Sequence, residues 1–174
     1  MTPALLSLSF SVARDPDAAA VASVRAAAAI DLTERFGRGY WSSQPTERGV
    51  LSGMHTGIVV LARRGPALVA TTRLSTRKPW AIDAAYFTLC NRPLYLTDMA
   101  VRPDYQGRGI GRALLGEAAR LARAWPADAL RLDAFNADAG ASGFYIRCGF
   151  RQVGVVEYRD IPLVYFEQPL TPVE

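Results

Sequence analysis

Two cysteines, Cys90 and Cys148, and a single histidine, His55, are all that 174 residues offer in soft metal-ligating side chains. So small a cysteine count excludes a disulfide framework and points to reduced thiols in a cytoplasm. Cys148 reads as a small apolar core side chain. With one histidine and no ligand spacing around it, no metal site is expected. Nucleophilic triads of Ser-His-Asp or Cys-His type are also missing. No apolar run approaches the ~20 residues of a membrane span. The stretch Met1 to Phe10 lacks the basic start of a secretory signal, so neither membrane nor export is expected. Net charge is +4, but the basic residues do not cluster beyond pairs such as Arg63-Arg64 and Arg77-Lys78. No basic–aromatic interleaving is present, which argues against a nucleic-acid partner. There is no repeat, low-complexity linker or shift in composition, and residues 1–174 are expected to form a single domain.

What is present concentrates in Asp98-Met-Ala-Val-Arg-Pro-Asp-Tyr-Gln-Gly-Arg-Gly-Ile-Gly-Arg112. An apolar strand from Leu94 to Val101 stops before Pro103, which biases Arg102 toward extended backbone. Gly107, Gly109 and Gly111 follow at alternate positions. Leu114, Leu115, Ala118, Leu121 and Ala122 then recur at helical spacing. A strand, a glycine turn and a helix start in one segment make a seat for a phosphate group. Glycine permits close backbone approach, the helix start supplies amide donors and partial positive charge, and Arg108 and Arg112 add full charges. A P-loop is excluded because the chain contains no Gly-Lys pair. The dinucleotide pattern G-x-G-x-x-G places Arg112 or Leu114 where its third glycine belongs. Asp133, at the spacing of a ribose-binding acid, keeps a nucleotide-binding enzyme as an alternative.

The pattern Gln106-x-x-Gly109-x-Gly111, between Met99-Ala100-Val101 and an amphipathic helix, resembles the cofactor loop of the GNAT superfamily of acyl-CoA-dependent N-acyltransferases. A second block, Phe144-Tyr145-Ile-Arg-Cys-Gly149-Phe150, matches the family's aromatic-Tyr-x-x-x-Gly-Phe segment. The resemblance runs from about Leu94 to Phe166. It implies an α/β fold with a mixed, mostly antiparallel sheet of about seven strands and about four flanking helices, opened by a cleft between the fourth and fifth strands. It implies acetyl-CoA as acyl donor, a primary amine on a small molecule or protein as acceptor, and direct transfer in a ternary complex. A homodimer is compatible with it. A non-catalytic acyl-CoA-binding or sensing module is the other reading that keeps the same cofactor seat.

The resemblance also distributes roles. The backbone from Gln106 through Gly107, Arg108, Gly109, Ile110 and Gly111 to Arg112 would hold the pyrophosphate. Met99, Ala100 and Val101 would align the pantetheine arm, and an N–H there could stabilise an oxyanion. Tyr145 would be the general acid that protonates the departing sulfur, since a phenol is protonated at neutral pH; core packing is its structural alternative. Asn136 would contact the cofactor, although it lies nine residues before Tyr145 where the family has eight, and helix capping is equally open. Asp98 is the nearest acid to the thioester and the candidate base, with a buried, backbone-bonded acid as the alternative. Strand alternation puts Asp98 and Ala100 on one side and Met99 and Val101 on the other. Asp133 is a weaker base candidate. An acceptor pocket would draw on Phe36, Tyr40, Trp41, Trp80, Tyr86 and Phe87, each of which could instead be core.

Elsewhere the chain reads as a strand at Leu6 to Val12 and an alanine-rich helix opened by Asp15-Pro16-Asp17 and ending near Arg35, with Val21, Val24, Ala28 and Leu32 on its apolar stripe. A loop from Phe36 to Pro45 leads to a short helix at Thr46 to Met54, then strands at Gly57 to Arg63 and Ala67 to Ser75. Lys78 to Arg92 is irregular. Leu130 to Ala134, Arg151 to Tyr158 and Pro162 to Glu167 read as strands, with a helix from Gly140 to Cys148.

Overall fold

The computed structural model describes residues 7–171. Leu6, the expected start of the first strand, lies outside them, and β1 is Leu8–Val12. There follow α1 (Ala18–Phe36), α2 (Glu47–His55), β2 (Ile58–Arg64), β3 (Ala67–Ser75), β4 (Pro93–Val101), α3 (Ile110–Ala124), β5 (Ala129–Phe135), α4 (Ser142–Arg147), β6 (Arg151–Tyr158) and β7 (Ile161–Pro169). Short 3-10 turns sit at Asp15–Asp17, Tyr40–Ser42, Ala84–Tyr86 and Pro103–Tyr105. The seven strands form one sheet in the order β1-β2-β3-β4-β5-β7-β6. β1 pairs antiparallel with β2 across the two intervening helices, a hairpin joins β6 to β7, β5 and β7 are antiparallel, and β4 with β5 is a parallel pair. The β4–β5 register covers only Pro93↔Ala129 to Tyr95↔Arg131. The mixed, mostly antiparallel architecture expected from the sequence is the one observed.

Residues contact each other as two compact units, Met1–Arg73 with Asp98–Ala118, and Leu74–Thr97 with Ala119–Glu174. In the first, Ala18, Val21, Ala22 and Val24 of α1 pack with Val50 of α2, Val59 and Leu61 of β2, Leu68 of β3 and Ala100 of β4. Alanine allows α1 to run close to its neighbours and favours helix at the same time. Thr46 starts α2 by accepting the Gly49 amide on its side chain at 3.1 Å. Ile110, Leu114, Leu115, Ala118, Ala119 and Ala122 form the buried stripe of α3, at helical spacing.

In the second unit a different core forms. Ile82, Phe87, Tyr95 and Tyr165 cluster with Val153 and Val156. The Tyr165 hydroxyl accepts the Asp83 amide at 3.1 Å and donates to the Ala81 carbonyl, which fastens the irregular segment after β3. A side chain at Gly154 would collide with the Tyr86 ring, so this glycine lets Tyr86 lie flat on β6. Arg131 and Glu167, 4% and 1% exposed, pair across β5 and β7 at 3.3 Å. Arg151 donates to the other Glu167 oxygen at 2.9 Å. Arg131 also donates to the Thr88 carbonyl and lies over the Phe87 ring at 4.9 Å. An irregular fifteen-residue segment is thus pinned by two guanidiniums that one buried carboxylate collects.

Burial alone would raise the Glu167 carboxyl, but hydrogen bonds from Arg151 and Thr88 and the Arg131 charge hold it below its ordinary value of 4.5. A depressed carboxylate stabilises the fold above its unfolded-state pKa and loses that contribution as pH falls through the folded value. Glu167→Ala leaves buried Arg131 without its counter-charge, and the expected loss is about 3–5 kcal/mol, read as the shift in urea midpoint at pH 7. The difference between wild type and variant should shrink below about pH 4. A gap that stays constant down to pH 3 would remove Glu167 from this role.

Candidate functional site

The turn between β4 and α3 is built from local bonds. The Arg102 amide donates to the Val69 carbonyl at 2.8 Å, and the Gln106 side-chain amide returns to the Val101 carbonyl at 3.0 Å. Gln106 therefore closes the turn on the end of the strand. Gly107 and Gly109 have φ of 72° and 79°, a left-handed backbone that glycine adopts without strain. A Cβ at either position would meet nothing within 4 Å. Gly109 accepts the first helical bond, from the Ala113 amide at 3.0 Å, and Gly111 is the second residue of α3. As at any helix start, the first amides lie outside the helical ladder. Arg108 and Arg102 flank the Tyr105 ring at 5.6 and 5.4 Å, and Arg102 pairs with Asp104 at 3.1 Å. Exposed Gln106 to Gly109, open space at both glycines and adjacent cations fit a pyrophosphate.

Simple alternation along β4 is corrected at Asp98. Its φ is +54°, a left-handed value inside a strand, which turns the pleat. Asp98 is exposed, whereas Ala100 is buried in the α1 core. Asp98 does not take the buried-acid alternative: its side chain is 51% exposed and pairs with Arg25 of α1 at 3.7 Å. Arg25 escaped the sequence reading. The signal for it was a charge on the buried stripe of α1, between Ala22 and Ala29.

Tyr145 lies in the other unit, buried on α4. Its ring meets Phe144, Phe150 and Phe166 with centroids at 5.3, 5.7 and 5.8 Å. The Phe150 amide donates to the Tyr145 carbonyl at 3.0 Å, and that of Gly149, at φ 90°, to Ile146 at 3.1 Å. This is a Schellman stop, with the usual apolar contact between the residue after the glycine and the last helical turn. The Tyr-x-x-x-Gly-Phe spacing therefore has a local cause. Burial, with the Asp133 and Cys148 charges adding to it, pushes the Tyr145 phenol above its ordinary value, so it is protonated at neutral pH.

Asn136 is exposed, and its amide donates to the Pro162 carbonyl at 2.9 Å, extending the β5–β7 edge. The capping alternative is corrected: the residue before α4 is Ala141, with no side-chain cap. Gly140 folds back so tightly that a Cβ would overlap the Phe135 carbonyl. Of the aromatic candidates, Phe36 ends α1, Tyr40 is half exposed and Trp41 donates from its ring to the Gly37 carbonyl at 2.9 Å. In the second unit Trp80 is 91% exposed and Tyr86 about half exposed. Phe87 takes the core alternative, stacked on Tyr165 at 5.3 Å. Among the described residues no three His, Cys, Asp or Glu side chains converge as metal ligands, and no helix is long and apolar enough to cross a membrane.

The model of the acetyltransferase (GNAT) family matches residues 24–150, which include the glycine turn and the Schellman block. The chain belongs to this family. Acetyl-CoA as donor and acetyl transfer are the family's chemistry. A streptothricin acetyltransferase from Streptomyces lavendulae is 38% identical over 72 residues, 41% of this chain and 38% of that protein. The match thus spans well under half of the curated relative. Solved structures with the same fold include an N-acetyltransferase from Staphylococcus aureus Mu50 (TM-score 0.70, 16% identity, 95% of this chain and 99% of that one). A putative acetyltransferase from Salmonella typhimurium, solved with its cofactor acetyl-CoA, has TM-score 0.69 and 15% identity, with 94% of each chain covered. A ribosomal-protein-alanine N-acetyltransferase from Brucella melitensis has TM-score 0.71 and 18% identity, covering 93% and 99%.

The left-handed Gly109 yields a direct prediction. Gly109→Val places a β-branched side chain at φ 79°, at a cost of roughly 1–2 kcal/mol, and fills the open space above the turn. The variant should stay folded but lose the thermal shift that acetyl-CoA gives the wild type. An undiminished shift would move the pyrophosphate elsewhere.

Proposed function

We propose that this chain is an N-acetyltransferase that moves an acetyl group from acetyl-CoA to a primary amine by direct attack within a ternary complex. The open, left-handed turn at Gly107 and Gly109, joined to the start of α3, carries the reading. In it the backbone from Gln106 to Arg112 holds the pyrophosphate, and Met99, Ala100 and Val101 align the donor beside the end of β4. Asn136 is reserved for an outer cofactor contact. An activated thioester needs no enzyme nucleophile, so the chain's own work is binding, orientation and proton transfer.

The amine nitrogen forms a bond to the acetyl carbonyl carbon as the carbon–sulfur bond breaks. The proton leaving the amine goes to the Asp98 carboxylate, whose side chain is half exposed. The Tyr145 hydroxyl gives its proton to the departing sulfur, so amide and free thiol result. The Tyr145 phenol is protonated at neutral pH and so has a proton to give. Phe36, Tyr40, Trp41, Trp80 and Tyr86 are the aromatics available to shape the acceptor site. The partial likeness to a streptothricin acetyltransferase puts streptothricin first among acceptors to test, ahead of polyamines, amino acids and peptide N-termini. Single-domain behaviour over residues 1–174, a homodimer and a cytoplasmic location complete the proposal.

The deciding variant is Tyr145→Phe, which removes one hydroxyl and keeps the ring packing. Followed as thiol release with an accepted amine, kcat should fall by roughly 10²–10⁴. The acetyl-CoA dissociation constant should change far less, since the lost proton matters only as charge develops. Equal kcat under conditions where chemistry limits the rate would return Tyr145 to packing alone. Acetyl-CoA binding without thiol release for any amine would favour the sensing module.

A further inference from the structure

Arg25 is an expensive residue to place where it is. It belongs to the inner face of α1, and only 12% of its side chain is exposed. Among the described residues its Nε and Nη2 are buried with no hydrogen-bond partner, and a buried donor left unmet carries its full desolvation cost. Among the described residues its counter-charge is Asp98, 3.7 Å from Nη1. That is an ion-pair distance rather than a tight hydrogen bond. Arg73 of β3 is the second cation in the neighbourhood. Its guanidinium is committed to the end of α2, donating to the Gly53 carbonyl at 2.9 Å and the Thr56 hydroxyl at 2.6 Å. It adds positive field without supplying Arg25 a partner.

Asp98, for its part, holds a left-handed backbone inside β4, a conformation that L-residues adopt only at a cost. The carboxylate is half exposed and meets the buried cation at ion-pair distance. We infer that Arg25 is a positioning residue for the proposed reaction, fixing the direction in which the Asp98 carboxylate meets the acceptor amine. This rests on the reading of Asp98 as the base. Arg25 touches neither donor nor acceptor. It acts through the orientation of one carboxylate, and the strain at Asp98 and the poor solvation of Arg25 are offset together by their attraction.

The test is a kinetic double-mutant cycle on the full chain, using the acceptor amine with the highest wild-type thiol release. Arg25→Met should lower kcat by on the order of 10- to 100-fold, the usual effect of misplacing a reacting group. The KM for acetyl-CoA should stay within about threefold, because the glycine turn is untouched. Arg25→Lys, which keeps a cation, should recover most of the rate. In an Asp98→Asn background, Arg25→Met should have no further effect on kcat and should raise the melting temperature, since the buried charge is then removed rather than orphaned. A folded Arg25→Met with wild-type kcat, while Asp98→Asn is impaired, overturns the role of Arg25 and leaves Asp98 as base. Independent, multiplicative losses in the double variant do the same. Wild-type kcat in Asp98→Asn overturns the base reading itself. Where Arg25→Met is too unstable to assay, Arg25→Gln takes its place with the same expected values.

Discussion

Everything proposed for this protein depends on how the chain turns from β4 into α3. Between Val101 and Ile110 the backbone has to leave a strand, expose its amides and start a helix. Two left-handed glycines make that turn, and the Gln106 side chain ties it back to Val101. A side chain at Gly107 or Gly109 would add both backbone strain and bulk where the proposed pyrophosphate approaches.

The two units handle buried charge in contrasting ways. In the second, Glu167 is surrounded by Arg131 and Arg151, and the network reaches Thr88, so buried charges have partners and hold an irregular segment in place. In the first, Arg25 has Asp98 at ion-pair distance and two nitrogens left over. A network with its partners supplied stabilises, whereas one that is partly satisfied makes a single carboxylate indispensable. That difference sets the structural ion pair of the second unit apart from the pair for which a positioning role is proposed.

Tyr145 combines an observed structural role with a proposed chemical one. Its ring and carbonyl take part in ending α4, through the Phe150 contact and the Schellman bond. Its hydroxyl is not needed for either. Packing therefore explains why an aromatic stands at position 145, and the hydroxyl is the part on which the proposed chemistry draws. The same burial that packs the ring keeps the phenol protonated, the state that the proposed role as acid requires.

Much of the architecture was legible in the residues. Helical spacing marked α3, alanine content marked α1, and Thr46 marked the start of α2. The alternating glycines announced the turn because few backbones need them so close together. The sequence by itself thus determined the elements, their order and the family. Tertiary structure alone decided the left-handed turn at Asp98, the pairing of Arg25 with it, the burial of Phe87 on Tyr165 and the absence of a cap role for Asn136. Each of these turns on contacts between residues distant in the chain or on a single backbone angle. Local periodicity records neither, because it describes which face a residue should occupy and not what it meets there.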